Sequence, residues 1–584
     1  MSDPEVTFPD DGFDLGEPAY SNNPLERPLV EDLVPIKPLS SSPQPSQGTF
    51  VTPENDSFYK LYSYSDLNST AQDIRLIHVF RDEHCDLIQC EFLPQSSLRE
   101  ASEGYHTLSY CAGDPSNAVP VLLQGIKFNV FANLNHALEK TLSVWKSQYP
   151  GGECVLWVDQ ICINQRSDAE RSHQVGLMRD IYTNSRGTFI SLSTADQSET
   201  SFNGLDWAKE LAEACQTLGT SQLWSIKLQD ILGVNLSNSN FLEGWASFYG
   251  LFQSPWWRRA WIHQEFICSP SAIFMYHKST ISSTHNSFLL FLCQALQNIP
   301  VLMYIYDLEI ERRDKTRAAK GDGDHRTVMR ERNDSLRAIE LLLNTKETWR
   351  GDEDLKKILA RSRYCRSSDP RDRIYAFLGL AHPGYGIEAD YSKSNTLDAA
   401  ILHTAQKILE FDRHLEILAF AVRATKRRAS ILPSWAPDWA STEILGDGYF
   451  ARLPGLDKQF QDDAVGSSVI HTSTGENIAV LRVRGLHIDT LRPPPGWIES
   501  FAFSYLETAG GHVVRCRNFA KEGDELWILM GSKWPFILRP SGGEYKVVSE
   551  ANNRKWRDDK IIAFEEILGR MRDGLETLSI IDLC

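Results

Sequence analysis

The chain predicts an α/β protein whose main sheet is parallel with helices on its faces. Three observations carry that reading. From Tyr105 apolar strand-length runs alternate with stretches of helical periodicity, each pair short enough for a crossover connection. The chain of 584 residues is too long for one ordinary core, so two or three folded regions are expected. Its 42% hydrophobic and 23% charged residues are those of a globular protein.

Residues 1–55, rich in Pro, Ser, Asp and Glu, bury too little to offset ordering entropy and read as a disordered arm. DIRLIHVF and DLIQCEFLPQ, on either side of a short acidic break, read as a hairpin. HTLSY is a short strand ending in a Gly-Asp turn. NLNHALEKTLSVW then places Leu134, Ala137, Leu138, Leu142 and Trp145 at helical spacing, and CVLWVD is the next strand. In RSDAERSHQVGLMRDIY, Ser167 and Glu170 have capping-box spacing at the start of one helix, with Val175, Met178, Ile181 and Tyr182 inward. TFISLS is a third strand. SPWWRRAWIHQEF reads as one helix with Trp257, Trp261 and Glu265 along one side.

The apolar window from Ser287 to Tyr306, broken by Gln294, Gln297, Asn298 and Pro300, reads as a buried helix and a turn, without a membrane span. The charged run from Glu309 to Asp334 is an exposed linker or solvated helix. In DPRDRIYAFLGLA, Asp369 caps a helix with Pro370 at its first position; LDAAILHTAQKILEF continues helical, and LPSWAPDW is a rigid aromatic loop. From about Val469 short runs split by Gly and Pro suggest a small antiparallel β-rich region with its own core. The organisation expected is thus a 1–55 arm, an α/β domain with its hairpin over 56–270, a helical segment and linker over 271–350, a helical region over 351–465 and a β-rich region over 466–584. No internal repeat is evident.

A net charge of -17 and pI near 5.4 speak against nucleic acid or anionic membranes as partners, since both are negative. The 11 cysteines lack regular spacing, so buried thiols are expected in place of a disulfide framework or zinc site. The acidic N-terminus has no secretory pattern, so a cytoplasmic location is expected. P-loop, GxGxxG and GxSxG motifs are lacking from the sequence.

YHTLSYCAGD, NLNHAL, LWVDQICINQ with ERSHQVGLMRDIY, TFISLS and WWRRAWIHQE, in this order over roughly residues 74–268, resemble the heterokaryon-incompatibility (HET) domain of filamentous fungi. DPRDRIYAFLGLA, ADYSKS, LPSWAPDW, GLHIDTL and GDELWILMG with PFILRP are similar to segments that follow that domain. One departure stands out: Ala112 occupies the place of the family's usual tryptophan, which removes a large packing surface after the first strand. The resemblance implies non-self recognition that triggers growth arrest or cell death, with an incompatible allele product or a second copy as partner.

The HET domain is in turn similar to the Toll/interleukin-1-receptor-like (TIR) domain, which implies a flavodoxin-like doubly wound sheet with ligands outside its strand ends. Some TIR-like domains cleave the nicotinamide glycosidic bond of NAD with a glutamate four residues after a tryptophan. Trp261 and Glu265 have that spacing, so the resemblance makes Glu265 the candidate catalytic residue, with NAD as substrate and no cofactor. Tyr110, Gly113, Asp114, Asp159, Asn164, Gln165 and Trp261 are the candidate ligand-binding residues. Each has a plainer reading: Asp159 capping a turn, Asn164 in a left-handed conformation, Glu265 pairing with Arg258 or Arg259. Cys162 reads as a small buried hydrophobe and His173 and His263 as ordinary interfacial residues. A non-enzymatic module acting by self-association is the alternative function.

Overall fold

In a computed structural model of the chain the hairpin and the three strands after Tyr105 join one nine-stranded mixed sheet. The structure describes residues 55–197, 206, 250–283, 289, 290, 293, 325–362, 365–421, 432–441, 469–472, 479–492, 497, 498, 503–511, 513–517, 519–532, 534–552 and 578–584. The expected arm apart from Asn55, and most of the Ser287–Tyr306 window, lie outside them.

The strands are β1 (Ile77–Arg81), β2 (Ile88–Phe92), β3 (His106–Ser109), β4 (Ala118–Leu123), β5 (Ile126–Phe131), β6 (Cys154–Trp157), β7 (Thr188–Ser191), β8 (Ala272–Tyr276) and β9 (Ser279–Ser282). They lie in the order β9-β8-β7-β3-β6-β1-β2-β4-β5. The four in the middle of the fold, β6, β3, β7 and β8, are mutually parallel, and Thr107 pairs with both Trp157 and Thr188 while Ser109 pairs with Ile190. Every residue of β3 and β7 is buried, so both faces of the sheet are covered there. β1 and β2 form the expected antiparallel hairpin and extend the sheet beyond β6. The β4–β5 hairpin was not anticipated; its turn, Gln124-Gly125, has both residues at positive φ as a two-residue turn requires.

Helix α1 (Ala132–Gln148) buries the five apolar side chains that its periodicity marks. The stretch read as one helix after Ser167 is two, α2 (Asp168–Gly176) and α3 (Met178–Thr183), which break at Leu177 just past Gly176. Only half of the capping box forms. Ser167 Oγ accepts from the Glu170 N–H at 3.2 Å, but the Glu170 carboxylate turns to Arg75 and to the Asn164 N–H. The tryptophan-rich stretch is likewise divided. A 3-10 turn covers Pro255–Arg258, Arg259 is extended, and α4 (Ile262–Ile267) follows, so Trp257 does not share a helix with Trp261 and Glu265. The cause is tertiary: Ala260 N–H donates to the Arg366 carbonyl and Arg366 N–H to the Arg258 carbonyl, which pulls Arg259 out of helical geometry.

The helical middle comprises α5 (His325–Thr348), α6 (Leu355–Arg361), α7 (Asp372–Leu378) and α8 (Leu397–Asp412). α7 begins two residues later than its sequence suggested, with Asp369 accepting from the Arg371 N–H at 2.9 Å ahead of it. Part of the charged run expected as linker or solvated helix is thus α5. In the LPSWAPDW loop Trp435 and Trp439 are completely buried.

The C-terminal strands are β10 (Val469–Thr472), β11 (Ala479–Thr490), β12 (Trp497–Ile498), β13 (Phe503–Glu507), β14 (Val513–Arg517), β15 (Glu525–Leu529), β16 (Phe536–Ser541), β17 (Glu544–Asn552) and β18 (Ser579–Leu583). β18 pairs with both β11 and β17, closing a ring β11-β15-β16-β17-β18 in which only the β17–β18 contact is parallel. Leu491, Leu506, Val514, Cys516, Leu526 and Ile537 form a separate small core. The alternate side chains Leu481, Val483, Trp527, Leu529, Phe536, Leu538 and Leu583 join the main core instead. Residues 47–584 are one compact unit. Among the described residues no helix is long and apolar enough to cross a membrane.

Candidate functional site

The carboxyl ends of parallel strands gather polar groups because the backbone must leave the sheet there and turn. β3 ends at Ser109 and β6 leads into Asp159, and α4 brings Glu265 beneath both. Glu265 is 2% exposed. Arg259 grips it with two parallel hydrogen bonds, Nη1 to Oε2 and Nη2 to Oε1, both 3.0 Å. Ser109 Oγ donates to Oε2 as well, and itself accepts from the Trp256 indole N–H at 2.6 Å. The extended backbone at Arg259, which broke the expected helix, is what lets its side chain turn back onto Glu265.

Asp159 is partly exposed beside this pair. Its Oδ1 accepts from the Tyr110 hydroxyl at 3.2 Å and from the Gln160 N–H at 2.7 Å. Burial pushes its carboxyl up to about 6 against the pull of Arg259, and the Glu265 charge adds to the rise. Tyr110 is held well above the usual phenol range, first by burial and then by Asp159. Two carboxylates thus stand close enough to sense each other, one tied up by a guanidinium and one not.

Other expected residues serve the turn. Gln165 Nε2 donates to the Asp159 carbonyl at 2.8 Å, and Asn164 Oδ1 accepts from the Arg166 N–H at 3.2 Å. Asn164 is not left-handed; its side chain supplies the turn bond in ordinary backbone geometry. Arg75, almost fully buried, ties the loop down through the Cys162 carbonyl and Glu170. Asp114 is exposed and accepts from the Ser116 N–H and hydroxyl, which holds its carboxyl below the usual range. Gly113 sits at φ +83, and an added Cβ would meet Asn133 Nδ2 at 2.5 Å. Cys162 is sealed inside, its thiol pushed up to about 12 by burial. His263 is buried against Phe377, which drives its imidazole down to about 4.

Trp261 turns elsewhere: its side chain hydrogen-bonds Asp372 of α7, which also accepts from the Tyr391 hydroxyl at 2.7 Å. Further anchors hold α4. Lys346 Nζ reaches the carbonyls of Phe266 (3.0 Å), Ile267 (3.2 Å) and Ser269, capping the helix end with a cation. Gln264 Nε2 donates to the Tyr375 carbonyl at 3.1 Å, where Gly379 leaves room for it; a Cβ there would fall 2.5 Å from Gln264 Oε1.

Asp372 carries a pH prediction. Burial raises its carboxyl to about 7, so relative to an unfolded value near 4 its stabilising contribution is present at low pH and lost as pH rises through about 7. Asp372→Asn is expected to stabilise the chain by roughly 2 kcal/mol at pH 8 and by little near pH 4, read by urea unfolding at both. A gain that does not depend on pH would rule out this account.

Residues not marked by the sequence complete the strand-end surface. Asn133 Oδ1 accepts from the Ala195 N–H at 2.9 Å, and His136 Nε2 lies 2.9 Å from Ser193 Oγ, so the start of α1 meets the loop after β7. Gln160, 1% exposed, has its Oε1 3.4 Å from both the Phe131 N–H and the Tyr110 hydroxyl, while its Nε2 is buried with no partner among the described residues. Ser109, Trp256 and Gln160 lie inside quoted motifs but had no signal that singled them out. Among the described residues no group of three His, Cys, Asp or Glu side chains could hold a metal ion.

Residues 105–265, from the start of β3 to Glu265 itself, match the family model described as Heterokaryon incompatibility protein (HET), so the chain carries a HET domain. It is a distant homologue of "Heterokaryon incompatibility protein 6, OR allele" from Neurospora crassa, to which it is 26% identical over 318 residues. That match covers 49% of this chain and 44% of the relative, so the chain spans less than half the relative's length. No solved structure matches it.

Proposed function

We propose that this chain acts in heterokaryon incompatibility, as a non-self recognition protein whose HET domain triggers growth arrest or cell death by cleaving the nicotinamide glycosidic bond of NAD. The observation that carries the enzymatic part is the carboxylate pair of Glu265 and Asp159 at the ends of parallel strands. Such a pair offers negative charge where cleavage develops oxocarbenium-like positive charge. The order of the four parallel strands supports a flavodoxin-like, TIR-like reading: numbered by first appearance they run 2-1-3-4, and the reversal beside β3 is where doubly wound sheets bind ligands. Tyr110 lines that end, and Gly113 lies on the loop that leaves it.

Purified chain incubated with NAD, alone and under crowding that favours assembly, is expected to release nicotinamide. Glu265→Gln is expected to lower the rate by about 100-fold or more while the circular dichroism spectrum stays native. Full activity in that variant would remove Glu265 from the chemistry.

A second reading has its own observation. Both Glu265 oxygens are spent on Arg259 and Ser109, as in a structural pair, which favours a HET domain that signals by self-association without turnover. Concentration-dependent assembly in sedimentation, with no nicotinamide release in any condition, would establish it over the first.

A further inference from the structure

We propose that Asp159 is the general base of this site and that the Glu265–Arg259 pair is its fixed electrostatic frame. The inference rests on the glycosidic-cleavage reading and reverses the roles that the tryptophan–glutamate spacing suggests.

The geometry separates the two carboxylates. Glu265 is almost wholly buried, and three donors, two from Arg259 and one from Ser109, consume its oxygens. A carboxylate so engaged can hold charge, and the one lone pair left, on Oε1, sits on a side chain only 2% exposed. Asp159 differs on each count. It is partly exposed, its two protein donors both meet Oδ1, and among the described residues none reaches Oδ2. The groups that face it are Arg259 and Glu265 from the α4 side, Tyr110 after β3, Tyr182 of α3 and Cys162 of its own turn. Of these only Arg259 is cationic, and both its Nη groups already hold Glu265.

A second group points to the same place. Gln160 follows Asp159, and its carboxamide oxygen faces the Phe131 N–H at 3.4 Å, which orients the amide, while the single Tyr110 proton goes to the nearer Asp159 oxygen. Among the described residues no acceptor meets the buried Gln160 Nε2, which costs free energy until a ligand oxygen or a water meets it. Asp159 Oδ2 thus offers an acceptor, and Gln160 Nε2 a donor on the next residue. They suit a ligand with a hydroxyl and an acceptor oxygen, as a ribosyl group has, together with a water molecule.

The step balances with water as co-reactant. The ribose C1′–N bond breaks, and its electron pair passes to the pyridinium nitrogen, which leaves as neutral nicotinamide. The water oxygen bonds to C1′, and its proton goes to Asp159, which later releases it to solvent. Asp159 must be ionised to accept that proton, and burial places its titration near pH 6.

The test is a pH–rate profile of nicotinamide release from NAD by the full chain. The wild type is expected to lose activity below about pH 6. Asp159→Asn is expected to lower kcat by about 100-fold or more, with KM within about threefold and with no acid limb in what remains. Asp159→Glu is expected to retain part of the rate with a displaced limb, which guards against loss of activity through misfolding. If the wild type turns over NAD but Asp159→Asn keeps its rate and its acid limb, this assignment fails while the enzymatic reading stands. If the wild type releases no nicotinamide at any pH, the enzymatic reading fails and takes the assignment with it.

Discussion

Replacing Arg259 by Met should destabilise the HET domain by about 3–5 kcal/mol, the range expected when one partner of a buried ion pair is removed. The loss comes mainly from Glu265, which is 2% exposed and would keep a charge with only Ser109 to meet it. Arg259 itself is 20% exposed along its side chain, so its own desolvation matters less. The second substitution Glu265→Gln in the Met background should return most of the lost stability by removing the stranded charge. Urea unfolding of the four proteins of the cycle measures the coupling. A single-variant loss below about 1 kcal/mol, as for exposed pairs, would mean that the pair is not buried in solution, and the fixed-frame role given to Glu265 would go with it.

Removing the chain from Val469 onward should leave a product that aggregates or binds hydrophobic dyes. Leu481, Trp527, Phe536 and Leu583 belong to the main core, and their neighbours would lose their cover. Backbone bonds would go as well: Leu415 N–H donates to the Gly531 carbonyl at 2.7 Å and Ser434 N–H to the Cys584 carbonyl at 2.8 Å, while Ser434 Oγ accepts from the Val547 N–H at 2.9 Å. The separate core around Leu491 and Val514 allowed the expectation of an independent β-rich region. The shared side chains argue for one cooperative unit. A truncated chain that stays monomeric in sedimentation and melts at the temperature of the full chain would overturn this.

Much of the fold was legible because its signals are local. The apolar spacing of α1 and the strand runs of β3, β6 and β7 read directly from the sequence, and the hairpin β1–β2 from its two apolar runs. The errors fell where long-range contacts override local pattern. Arg366 pulls Arg259 into an extended conformation and splits a stretch with good helical spacing. Arg75 takes Glu170 from its capping box across 95 residues of sequence. The β4–β5 hairpin went unread because Pro120 and irregular polarity hide its alternation.

The candidate site divides in the same way. Glu265, Asp159 and Tyr110 entered as candidates through the family resemblance that the quoted motifs carry. The sequence offered Asn164 and Gln165 both a ligand role and a role in the turn, whose partners are local, but it could not tell that Trp261 leaves the cluster for Asp372, since that partner lies in another segment. Only the tertiary structure decided which carboxylate is spent and which is open. That depends on a guanidinium, a serine hydroxyl and an indole brought from Arg259, Ser109 and Trp256, and a hydrogen bond is set by positions to within a few tenths of an ångström. No periodicity in the chain encodes such distances; packing of the whole core does.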